Sequence, residues 1–301
     1  MIPFSEIHQP APNLEEVTSA RTELLNQIES ARNVEDVRLA MQQWDQGRRE
    51  TGTWEALVHL RFCQDTTDEQ AKQAQDEMDQ MQPKLTELDI NIKRALVSHP
   101  LRSAVEKETG AQLFALWEAE IPTFDPVIAD DMIRESGLKT KYTALMASAK
   151  LEFDGDTLNH STITRYRENA DRDLRYAAEL VRWQWFDEHA EELDDLFDEM
   201  VTLRHGMAQK LDFENYVDLG YQIMSRVDYD HHDVARYRNM VREEVTPLGQ
   251  QIRDGQATTL GIDKTMFWDE SVYLKAGNPL PASDYDTMIG QATEMFNNMG
   301  Y

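Results

Sequence analysis

The chain has 301 residues, in which 56 Asp and Glu face 30 Lys and Arg, a formal balance of −26. Neutralising phosphates or settling on anionic lipid needs clustered basic side chains, so this balance excludes a general nucleic-acid binder and speaks against a membrane partner. Hydrophobic residues make up 41%, enough for a sizeable core, and the single cysteine, Cys63, excludes an intramolecular disulfide framework and any cysteine-based zinc site.

Thirteen glycines and ten prolines punctuate long intervals rich in Ala, Leu, Met, Glu, Gln and Arg, so the fold is read as mainly α, a multi-helix array. Met1-Ile2-Pro3-Phe4-Ser5-Glu6 lacks the basic and apolar regions of a secretory leader, and no stretch approaches the ~18 apolar residues of a membrane span. A cytoplasmic location is expected. Asn13 and Asn33 each precede early acids and predict helix N-caps, and a third helix is predicted from Thr67-Asp68-Glu69 to Met81, with Pro83 interrupting or restarting it before a run ending near His99-Pro100. Residues 1–120 are thus predicted as an N-terminal helical region.

The string Ile121 to Pro126 breaks the pattern and marks the start of a second region, 121–301, and Ser136-Gly137-Leu138 is expected to break it again. One short β-hairpin is legible near 150–158, where Asp154-Gly155 offers the positive φ of a tight turn. Ser161-Thr162 predicts an N-cap, followed by one long helix or two stacked ones between Arg165 and Leu203. Phe186, Leu193, Leu196, Phe197, Met200 and Leu203 share helical spacing and predict one buried face, while Asp187, Glu188, Glu191, Glu192, Asp194, Asp195, Asp198 and Glu199 predict an acidic solvated one. The methionines of the latter half read as core gap-fillers.

Phosphate-cradling loops and the nucleophile elbow are missing: there is no GxGxxG, no GxxxxGK[ST] and no GxSxG, although spacing does not exclude a Ser-His-Asp set. The eight histidines include no pair four residues apart, so the helical zinc-protease arrangement does not occur in these 301 residues. His189 lies among surface carboxylates, and His231-His232-Asp233 reads as a helix N-terminus capped by Asp230. No catalytic or metal-binding residue is nominated, and no zinc is predicted to bind this chain.

From Tyr142 onward several strings occur in an order that resembles the M3 family of zinc metallopeptidases, in particular its oligoendopeptidase F-like members. They are YTALMASAKLEFDG, LRHGMAQKLDFENYVDLGYQIMSRVDYD, VTPLGQQIRDGQATTLGID, FWDE and GNPLP, about half the chain, with Trp54 and VHLRF as weaker matches before them. Read physically, Asp212 is a plausible cap with Phe213 packing inward, and Gly261 a helix C-cap. The resemblance implies the N-terminal part of a neurolysin-like, nearly all-helical fold enclosing a channel, short peptides as substrates, and zinc in the complete family enzyme. It also implies that the chain stops before the family's HExxH helix, so that alone it is inactive. Faces carrying Tyr216, Tyr221, Met224, Met240, Phe267 and Trp268 are then expected to be uncovered and to promote self-association. A non-enzymatic helical protein that holds peptides or a partner chain is the alternative reading.

Overall fold

In the computed structural model of the chain, residues 6–300 are described, and the leader reading at Met1–Ser5 lies outside them. They form twelve helices and one antiparallel hairpin: α1 Leu14–Ser30, α2 Val34–Gln64, α3 Glu69–Ser98, α4 Arg102–Thr109, α5 Ala111–Glu120, α6 Ala129–Ala147, β1 Leu151–Phe153, β2 Asp156–Leu158, α7 Arg172–Glu188, α8 Ala190–Lys210, α9 Tyr216–Ile223, α10 His231–Met240, α11 Thr246–Leu260 and α12 Tyr285–Met299. They divide into two compact units, Met1–Ser148 with His189–Met240, and Ala149–Glu188 with Val241–Tyr301. Among the described residues no helix is long and apolar enough to cross a membrane.

In the first unit the helix starts are set by side-chain caps. Asn13 Oδ1 accepts from the amides of Glu15 and Glu16, Asn33 Oδ1 from Asp36, and Asp68 Oδ1 from Gln70. α3 is the central element because it is apolar on opposite faces. Ile92 and Leu96 join Leu24, Ile28, Val37, Trp44, Phe114 and Trp117 in one cluster. Ile90, two residues away and so turned about 200° around the helix, joins Phe124, Ile128, Leu138, Leu203 and Met207 in another.

This double burial explains two departures from expectation. α3 runs unbroken through the buried Pro83. A proline inside a helix costs about 3 kcal/mol, but α3 packs on α1, α2 and α6 and Pro83 itself is buried. α6 likewise passes through Gly137, because Leu138 is anchored beside Ile90 and three ion pairs clip α6 to α8: Arg134 to Glu199 at 2.6 Å, Arg204 to Glu135 at 2.8 Å and Lys210 to Asp131 at 2.5 Å. Glu199 on the predicted acidic face is therefore compensated from a neighbouring helix.

The face predicted from Phe186 to Leu203 is only partly buried. Leu203 is buried and Leu196 and Met200 pack on it, but Phe197 is 68% exposed and Phe186 belongs to a separate helix ending before His189. At the end of α8, Asp212 is not a cap: it takes a left-handed φ of 63°, the Phe213 amide reaches back to the Ala208 carbonyl at 2.9 Å, and Asn215 caps α9 through the Val217 amide.

The second unit begins with the predicted hairpin. Asp154 and Gly155 have φ of 54° and 83°, and the turn aligns Leu151 with Leu158, both buried. Ser161 makes no side-chain cap. Asn159 Oδ1 accepts from the Ser161 and Thr162 amides instead and starts a 3-10 helix at Thr162–Glu168, so that α7 begins only at Arg172. Gly261 ends α11 in the predicted left-handed conformation, φ 71°, with the Ile262 amide on the Ala257 carbonyl.

Candidate functional site

At the start of α10, Asp230 caps as predicted. Its Oδ1 accepts from the His232 amide at 2.8 Å and the Asp233 amide at 3.0 Å, while Asp233 Oδ2 accepts from the Asp230 amide. The Asp233 amide, followed by that of His232, holds the Asp230 carboxyl below its usual range. The rings of His231 and His232 lie 3.9 Å apart, and His231 Nδ1 is 3.2 Å from Asp218 Oδ1. On α2, Cys63 is exposed with its Sγ 3.5 Å from His59 Nε2. Among the described residues no group of three or more His, Cys, Asp or Glu side chains converges to hold a metal ion. The described residues therefore gather no donor set that fits a zinc centre.

A polar cavity of about 280 Å³ opens among α1, α2 and α3, with Glu120 of α5 at its edge. Arg21, 6% exposed, donates from Nη1 to the Trp44 carbonyl at 2.9 Å, and its Nε lies 3.5 Å from Asp89 Oδ1. That same oxygen accepts from Trp44 Nε1 at 2.7 Å. Desolvation lowers the Arg21 guanidinium, with Asp89 acting against it. Lys93 pairs with Glu120, and the Arg48 guanidinium lies 5.1 Å from the centre of the Trp44 ring. Burial, reinforced by Asp89, pushes the half-buried Glu55 carboxyl up. Sequence reasoning missed this cavity, whose one local signal is Gly52 within an otherwise strong helical pattern.

In the second unit Asp269 is completely buried at the centre of a knot. Arg172 Nη2 donates to it at 2.8 Å, Arg175 Nη2 at 2.7 Å, and the Met266 amide at 3.0 Å. Arg175 further donates to the carbonyls of Asn169, Ala170 and Trp268, while Gln256 Nε2 reaches those of Asp269 and Val272. Burial alone would raise the Asp269 carboxyl, but bonds from Arg172, Met266 and Arg175 outweigh it and hold the group below its usual range. Asp269 lies within FWDE, a string recognisable only by resemblance.

Of the six aromatic and methionine residues expected on uncovered faces, Met224, Met240 and Phe267 are exposed, while Tyr216, Tyr221 and Trp268 are half-buried. Tyr216 lies under the Arg204 guanidinium and Trp268 against Tyr176. More apolar surface lies further along. α12 buries none of its residues and exposes Tyr285, Met288, Ile289, Met295, Phe296 and Met299, and α11 exposes Leu248 and Ile252. Met224, Met240, Met288, Met295 and Met299 are thus surface residues rather than core filler, whereas Met207 is buried and Met132 packs against its cluster.

Residues 4–124 match the profile of the Peptidase M3 N-terminal domain. Among solved structures, PZ peptidase A with inhibitor 2 is 36% identical with a TM-score of 0.94, covering 98% of this chain and 53% of its own. An X-ray structure assigned as an oligoendopeptidase F is 34% identical with a TM-score of 0.95, covering 99% and 53%. Another so assigned, from Bacillus anthracis str. Ames, is 32% identical with a TM-score of 0.92, covering 98% and 54%. No curated protein matches. The chain spans about half the length of the solved structures it resembles. From its Peptidase M3 N-terminal domain and this end-to-end likeness, the chain matches the N-terminal portion of the M3, oligoendopeptidase F-like peptidases.

Proposed function

We propose that the chain serves as the N-terminal portion of a zinc-dependent oligoendopeptidase that hydrolyses short peptides in an internal channel in the cytoplasm, and that on its own it is inactive. The observation that supports this reading is the TM-score of 0.94 at 36% identity over 98% of the chain. Its own residues supply scaffold: the α3-centred array forms the core of one unit, and the Asp269 knot holds α11, whose Leu248 and Ile252 are exposed, through Gln256. In this reading zinc, its ligands and the general base come from further polypeptide, and the uncovered apolar faces receive it.

The test measures zinc content and hydrolysis of a short fluorogenic peptide for this chain alone, for the unmatched C-terminal portion of PZ peptidase A alone, and for the two together. Expected are no stoichiometric zinc and no cleavage by this chain, with chelator-sensitive cleavage that rises when the two are combined. One zinc per chain with cleavage by this chain alone overturns its inactivity. No gain on mixing, together with binding of an end-blocked peptide by this chain, moves the reading to a non-enzymatic peptide-holding protein.

A further inference from the structure

We propose that the polar cavity between α1, α2 and α3 binds a small zwitterion with separated charges, an unblocked di- or tripeptide held by its ammonium and carboxylate ends. Six charged side chains line the cavity. Four are engaged with one another: Arg21 with Asp89, and Lys93 with Glu120. Arg48 and Glu55 remain, and neither has an ion-pair or hydrogen-bond partner among the described residues, Arg48 resting only on the Trp44 ring.

Both project from α2, seven residues apart, and so stand roughly 10 Å apart along the helix axis at 1.5 Å per residue. At that separation they do not pair with each other. A purely cationic ligand meets Arg48 and leaves it unpaired, and a purely anionic one does the same at Glu55. A ligand with one charge at each end satisfies both. An extended peptide advances about 3.3–3.6 Å per residue, so two or three residues bridge the gap.

Gly52 lies between these two side chains and supplies an independent observation. Glycine weakens a helix interior relative to alanine. At Gly47 the reason is packing, since a Cβ there would come 3.3 Å from Arg21 Nη1. At Gly52 a Cβ would meet nothing within 4 Å, yet the residue lines the cavity. Its absent side chain leaves the floor open between Arg48 and Glu55, where the backbone of a bound peptide would lie. The inference goes beyond the peptidase reading and involves none of the groups that reading requires.

Isothermal titration calorimetry of the full chain with triglycine, and with N-acetyl-triglycine amide, tests it. Binding of triglycine but not of the blocked peptide is expected, with Arg48→Gln and Glu55→Gln each weakening it about tenfold or more, as loss of a charged hydrogen bond predicts. Gly52→Ala should raise the melting temperature while weakening binding, a combination that a structural role for Gly52 does not produce. Absence of heat at millimolar triglycine, equal binding of the blocked peptide, or unchanged affinity in both charge variants overturns the proposal. Arg48 is exposed and Glu55 half-buried, so these two variants remain informative if a Gly52 variant fails to fold.

Discussion

Arg175 and Asp269, ninety-four residues apart in sequence, meet at 2.7 Å with both side chains buried. Removing one partner from such a pair strands the other in the interior. Asp269→Ala is therefore expected to destabilise the chain by about 3–5 kcal/mol, read as a lower urea midpoint. Arg172→Gln should cost much less, because the Arg172 side chain is 40% exposed and water replaces what it loses. Equal losses for the two variants would count against the knot as drawn.

The same carboxylate gives a pH dependence. Its folded value lies below that of the unfolded chain because Arg172, the Met266 amide and Arg175 outweigh burial. A depressed carboxylate contributes stability that is present above its unfolded value of about 3.9 and is lost as pH falls through the folded one. Asp269→Asn should flatten this acid slope in a series of thermal melts below about pH 4. A slope identical to that of the natural chain would remove Asp269 as its source.

In the hairpin, Gly155→Val places a β-branched residue at φ 83°. A loss of about 1 kcal/mol or more is expected, visible as a shifted denaturation midpoint. The neighbouring Asp154→Gly, at φ 54°, relieves the backbone but loses the bond that Asp154 Oδ2 accepts from the Tyr166 hydroxyl at 3.1 Å, so it should cost less than Gly155→Val without being stabilising.

Surface exposure along α11 and α12 predicts behaviour in solution. Ile252 at 64% and Tyr285 at 71% exposed are unusual for large apolar side chains unless a partner covers them. We expect concentration-dependent self-association, or strong binding of a hydrophobic dye, that increases with salt as the −26 charge is screened. Met288→Glu with Phe296→Glu should reduce it. A sedimentation series that stays monomeric across concentration and salt, without dye binding, argues against this.

What the sequence made legible was local. Asn13, Asn33 and Asp230 cap because a side-chain oxygen needs only amides two or three residues ahead, and Asp154-Gly155 turns because the backbone alone decides it. Pro83 and Gly137 misled because their local preference is overridden by neighbours distant in sequence: α1, α2 and α6 pack on the helix that carries the buried Pro83, and α8 is clipped to α6 at Glu135, two residues before Gly137. Asp212 misled for a subtler reason, since an Asp suits a left-handed residue as well as a cap and only the Ala208 carbonyl decides between them. Both polar clusters were invisible for the same cause. Arg48 and Glu55 face Asp89 from another helix, and Asp269 meets arginines from α7, so no pattern within a single segment announces either.

Asn215 offers a further check on that lesson. Its side chain caps α9 at 2.8 Å, so Asn215→Ala should cost about 1 kcal/mol, whereas Asp212→Gly should cost little. The reverse order in chemical denaturation would restore Asp212 as the helix start.

The order in which the ribosome delivers these residues has its own consequence. Residues 149–188 emerge well before residues 241–301, with which they form one unit, and the intervening stretch belongs to the other. At elongation speeds of about 5–20 residues per second, Arg175 is exposed for roughly 5–20 s before Asp269 exists to receive it. During that interval the carbonyls of Asn169 and Ala170 are the native acceptors of Arg175 already on the nascent chain, so the second unit is expected to fold late, as a closing step. A chaperone or a premature stop acting before codon 267 would find Arg175, Tyr176 and Trp183 without Asp269, Trp268 and Phe267.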